Sequence, residues 1–118
     1  MNKYTELSDF EINKKVAEKL GLAYEVTRYG VVTRMSNKEQ WREFNPCNNP
    51  ADAMPIIIEN NISLHTPHLR EGWMAEYTGS GDDVNDGLQA DYFDAHHKNP
   101  LRAAMEVFLM MKDAENED

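Results

Sequence analysis

The stretch FNPCNNPADAMPIII, residues 44–58, joins dense turn chemistry to an apolar end. Asn49 stands where an N-cap belongs. Pro50 suits the first helical position, where its missing N–H costs nothing. Asp52 in the first turn faces the positive end of the helix dipole. Pro55 removes one helical hydrogen bond and bends the helix. The segment therefore ends a strand and opens a helix from Pro50 to about Asn60, with Ile56, Ile57 and Ile58 as its buried part. A helix set between two strand-rich stretches makes the chain α+β.

Upstream, LSDFEINKKVAEKLG (7–21) reads as a complete helix. Ser8 is the N-cap, and Glu11 three residues later closes a capping box. Leu7 and Ile12 stand where a hydrophobic staple sits. Ile12, Val16 and Leu20 form the buried stripe, and Gly21 ends the helix. AYEVTRYGVVTRM (23–35) is rich in strand formers and reads as a hairpin turning at Tyr29-Gly30. Asn37 to Phe44 continues as strand or irregular chain.

Downstream, ISLHT (62–66) and GWMAEYT (72–78) read as strands. Residues 79–94 read as a flexible acidic loop and 113–118 as an acidic tail. NPLRAAMEVFLMMKD (99–113) starts like the middle helix, with Asn99 capping and Pro100 opening it. Leu101, Ala104, Met105, Phe108 and Leu109 fit one face. Ala103, Val107, Met110 and Met111 widen it almost all round. Such a helix is buried deeply or packed against a second copy, so a homodimer is expected.

The expected architecture is a small antiparallel or mixed sheet flanked by helices on both faces. At 118 residues the chain forms one domain. No apolar run reaches the roughly 18 residues of a membrane span. The N-terminus lacks a signal-peptide pattern, and the single cysteine, Cys47, permits no internal disulfide. The cytoplasm is the expected compartment. The net charge of −9 is concentrated in Asp82, Asp83, Asp86, Asp91, Asp94, Asp113, Glu115, Glu117 and Asp118. With no basic stripe, direct binding to nucleic acid is not expected.

The whole path, from SDFEINKKVAEKLG through FNPCNNPADAMPII and a Gly-Trp strand to NPLRAAMEVFLMM, resembles the NinX-like family of small phage and prophage proteins. It is also similar to the broader phage ABA-sandwich pattern. The resemblance implies a helix–sheet–helix architecture and a phage or prophage origin. It implies no reaction and no catalytic residues.

Asn45, Cys47, Asn48 and Asn49 form the leading candidate site. A rigid polar turn at a helix start offers N–H groups to an anion, and asparagine amides suit a base or sugar. The alternative is a set of Asx turns and caps bonded to local backbone. Trp41 and Trp73 could stack on a ligand ring, or pack at the core rim. His65 and Arg70 could line an anion site, or form a polar turn. Cys47 as a nucleophile would need a nearby base and a lowered pKa. His96-His97 with Asp91 and Asp94 fits no metal-binding spacing, so neither a metal nor a cofactor is expected.

These residues suggest a non-catalytic accessory protein that binds a small anionic metabolite, such as a nucleotide signal of host defence. An acidic inhibitor of a host protein is the first alternative. A hydrolase using Cys47 and a histidine is the second.

Overall fold

Helix α1 (Asp9–Leu20) starts where its capping box dictates. The Ser8 hydroxyl accepts from the Glu11 N–H at 3.1 Å, and Glu11 accepts from the Ser8 N–H at 3.0 Å. Gly21 ends the helix in the left-handed region, at φ 75°. Ile12 and Val16 are buried as the periodicity requires, whereas Leu20 at the last turn is exposed. These observations come from a computed structural model that describes residues 2–67, 72–79 and 92–115.

Strands β1 (Ala23–Thr27) and β2 (Gly30–Arg34) form the expected hairpin, with Thr27 opposite Gly30. Strand β3 (Arg42–Phe44) adds to β2, pairing Phe44 with Val31. The inward face of this sheet, with Val31, Thr33 and Phe44 buried, is partly covered by α1.

Helix α2 (Pro50–Glu59) is capped by the Asn49 side chain and keeps Pro55 inside it. Ile56 and Ile57 are buried, but Ile58 is 66% exposed. The expectation that all three isoleucines enter the core is corrected by helix geometry. At about 100° per residue, three consecutive side chains span more than one buried stripe can hold.

Strands β4 (Ser63–His65), β5 (Trp73–Thr78) and β6 (Tyr92–His97) make a second antiparallel sheet in the order β4-β5-β6. The chain is thus α+β, and the strands among the described residues are divided between two three-stranded sheets. Strand β6 also begins inside the stretch expected to be loop through residue 94. Ala75 and Ala95 face each other and are buried.

Helix α3 (Pro100–Glu115) lies on the second sheet and touches α1 and α2 on its other sides. Its apolar surface is covered within one chain: Ala103 to Leu109 are all buried. The acidic tail expected from residue 113 is also revised. Asp113 lies within α3, accepts from the Tyr4 hydroxyl, and pairs with Lys3 at 3.3 Å and Lys19 at 3.7 Å. Among the described residues, no helix is long and apolar enough to cross a membrane.

Candidate functional site

Two charged residues of α3 organise one end of the molecule. Arg102 and Glu106 are 3% and 1% exposed, four residues apart on the same helix. Arg102 Nε donates to Glu106 Oε2 at 2.6 Å, and Nη1 donates to Asp9 Oδ1 at 2.7 Å. Nη2 donates to the carbonyls of Tyr4 at 2.9 Å and Leu7 at 2.8 Å. Asn2 completes the shell by donating to Glu106 Oε1 at 2.6 Å. Every guanidinium nitrogen is thus engaged, which is what permits a buried arginine.

The second carboxylate oxygen of Asp9 leads to the asparagine turn. Asn48 Nδ2 donates to Asp9 Oδ2 at 3.2 Å and to Asn45 Oδ1 at 3.1 Å. Asn13 Nδ2 donates to the same Asn45 oxygen at 2.8 Å, and Asn13 Oδ1 accepts from the Cys47 N–H at 3.1 Å. Asn99 Nδ2 donates to the Cys47 carbonyl at 2.8 Å and to Asn48 Oδ1 at 3.2 Å. The Asn45 N–H donates to Asp52 Oδ2 at 2.9 Å. This network ties together the starts of α1, α2 and α3.

Burial alone would raise the pKa of Asp9. Hydrogen bonds from Arg102 and Asn48 outweigh burial, so its carboxyl lies below the usual range. Burial and then the Arg102 charge lower His97, whose Nδ1 accepts from the Asn99 N–H at 2.9 Å. Burial pushes the Cys47 thiol up to about 12, with the Asp9 charge adding to it. A buried thiol kept protonated is a poor nucleophile.

A cleft of about 360 Å³ opens beside this network, between the start of α1, the first hairpin and the 44–48 turn. Asp9, Phe10, Arg28, Tyr29, Asn45 and Asn48 are among its lining residues. Phe10 is partly exposed there, and Tyr29 at the hairpin tip is 85% exposed. The Arg28 guanidinium lies 5.6 Å from the centre of the Tyr29 ring. A partly apolar cleft with a few fixed polar groups is the usual form of a small-molecule site.

The residues expected at the site are dispersed differently. Asn45 and Asn48 line the cleft. Cys47 is fully buried beneath it, and Asn49 is occupied as the α2 cap. Trp41 immediately precedes β3 with the Arg34 guanidinium 4.4 Å from its ring centre, and it does not line the cleft. Trp73 pairs with His97 across the second sheet and does not line the cleft either. The ring walls come from Phe10, Tyr29 and Phe44. His65 belongs to the second sheet, where it meets Glu76 Oε2 at 2.6 Å while the Tyr92 hydroxyl donates to Glu76 Oε1 at 2.9 Å. Arg70 lies outside the described residues. Among the described residues, no group of three His, Cys, Asp or Glu side chains could hold a metal ion.

Asp9, Phe10, Asn13, Arg28, Tyr29 and Arg102 are the participants that sequence reading missed. Asp9 and Phe10 read as ordinary first-turn residues, and Tyr29 as a turn residue. Only Asn13, a polar residue next to Ile12 on the buried stripe, carried a signal in the helical periodicity.

Residues 3–112 match a family model described as Bacteriophage P22, NinX. No curated protein matches the chain. With almost its whole length covered by that family model, the chain belongs to the NinX family of phage proteins.

Proposed function

We propose that this NinX-family protein is a phage-encoded accessory protein that binds a small nucleotide-like ligand in the cleft beside Asp9, Asn45 and Asn48. A nucleotide signal used by the bacterial host in defence, sequestered in the host cytoplasm, is the ligand class that suits this reading. The observation that carries it is the joining of two aromatic rings to a pre-bonded polar network on one open cleft. Phe10 and Tyr29 offer faces for a base. Asp9 and the amides offer fixed hydrogen-bonding groups, and Arg28 offers a cation for phosphate.

The network supports binding more than catalysis. Its amides are held in place by one another, so little ordering is needed when a ligand arrives. No activated nucleophile stands among the cleft residues named here, and the neighbouring cysteine is buried and protonated.

The reading is tested by denaturing purified protein from phage-infected cells and analysing the released small molecules. A nucleotide released in stoichiometric amount supports it. A host protein that co-purifies and is lost at high salt, with no nucleotide, favours an acidic protein inhibitor instead.

A further inference from the structure

We infer that the exposed face of α2 is an interface between two copies of this chain, with the two α2 helices packed antiparallel about a two-fold axis. This interface is independent of what the cleft binds.

Helix α2 buries one side and leaves the opposite side apolar. Ala53, Ile56 and Ile57 turn inward. Ala51, Met54, Pro55 and Ile58 are exposed. At about 100° per residue, these four positions share one stripe about 100° wide. A helix facing water normally carries polar residues there. Here Glu59, in the last turn, is the only exposed charge on the helix. A hollow lies on each flank of the stripe. One is lined by Leu20, Leu22, Met35 and Pro55, and the other by Met54, Ile57, Ile62 and Leu64. Leu20 and Met35 are themselves exposed, so the apolar surface extends beyond the helix. Continuous apolar patches of this kind mark interaction sites.

Size and charge both point to a second copy in the antiparallel direction. A two-fold axis at the middle of the helix, between Met54 and Pro55, sets Ile58 against the partner's Ala51. It also sets Met54 against the partner's Pro55. Each long side chain thus meets a small or flat one, as a self-complementary interface requires. The same pairing brings Glu59 to the partner's Pro50, at the positive end of that helix dipole. Parallel helices would instead set the two Glu59 carboxylates side by side. The Glu59 carboxylate has no partner among the described residues, so nothing within one chain competes for it.

The net charge of −9 makes two copies repel at long range. Salt screens that repulsion and leaves apolar contact intact, so the association tightens as salt rises. A partner steered by opposite charge would be weakened by the same salt.

The test is sedimentation equilibrium of the full chain from micromolar to millimolar concentration, at low and high salt. The mass should rise toward twice the monomer value, and should do so at lower concentration in high salt. Ile58→Gln removes the most exposed apolar group of the stripe without adding charge. It should weaken association at least about tenfold. Thermal melting checks that the fold is kept, and Met54→Gln gives the same readout if Ile58→Gln is destabilised. The direction is read by oxidising an equal mixture of Ala51→Cys and Ile58→Cys chains. The mixture should give a disulfide-linked pair, and either variant alone should not. Antiparallel packing leaves the two Ile58 positions about 10 Å apart along the axis, beyond disulfide reach. Cys47 is buried and stays silent. A chain that remains monomeric at every concentration and both salts would overturn the interface, as would a dimer that both glutamine variants leave unchanged. An Ile58→Cys chain that cross-links to itself as readily as the mixture does would overturn the antiparallel arrangement.

Discussion

Arg102 at the start of α3 holds Asp9 at the start of α1, with Nη1 2.7 Å from Oδ1, although 93 positions separate the two in sequence. The contact joins the buried ion pair of the core to the wall of the cleft. It makes stability and site geometry depend on the same guanidinium.

Replacing Arg102 with Met should leave Glu106 as an uncompensated buried charge and cost about 3–5 kcal/mol. The double change Arg102→Met, Glu106→Leu removes that charge and should be less destabilised than the single one. Urea unfolding of the pair checks this. A double variant as unstable as the single would show that the carbonyl bonds to Tyr4 and Leu7, not the buried charge, dominate.

Asp9 and Asp113 should shape the acid side of the stability curve. In both, burial raises the pKa but is outweighed: by Arg102 and Asn48 at Asp9, and by the Tyr4 and Lys3 hydrogen bonds at Asp113. Both folded values therefore lie below the unfolded one, near 3.9. Their contribution is fully present above about pH 4 and is lost as pH falls through the folded values. Asp113→Asn should flatten the curve below about pH 4 in acid titrations followed by circular dichroism.

Changing Ser8 to Ala removes the hydroxyl that accepts from Glu11 and should cost about 1 kcal/mol. The melting temperature measures it, and no shift would mean that Glu11 alone secures the first turn.

Cys47 should resist thiol reagents in the folded state, because its thiol is buried and pushed up to about 12. Labelling with a disulfide reagent should proceed only as fast as the protein unfolds. Prompt labelling at pH 7 would show that the 44–49 turn opens on its own.

The helix starts were legible because their chemistry is local. A capping box at Ser8 and Asn-Pro pairs at 49–50 and 99–100 each act within a turn. Strand β6 was not legible: Tyr92, Asp94 and His96 point outward, and the inward positions include His97 as well as Phe93 and Ala95. With a histidine on the inner face, the alternation of polarity is weak. The Arg102–Glu106 pair was hidden for a different reason. An Arg and a Glu four apart on a helix normally mark its solvent face, and only the enclosure of α3 on several sides buries them. The candidate site was half visible, since the turn supplied Asn45 and Asn48. Asp9 and Phe10 reach the cleft only through tertiary packing, and the aromatic walls fell to residues other than the two tryptophans.

The most direct test is to follow backbone amide resonances of the labelled protein during titration with purine nucleoside monophosphates. Saturable shifts should concentrate at Asp9, Phe10, Tyr29, Asn45 and Asn48, with little change at Trp41 or His65. Shifts that are absent, or that gather on the second sheet instead, would contradict the assignment of this cleft as the binding site.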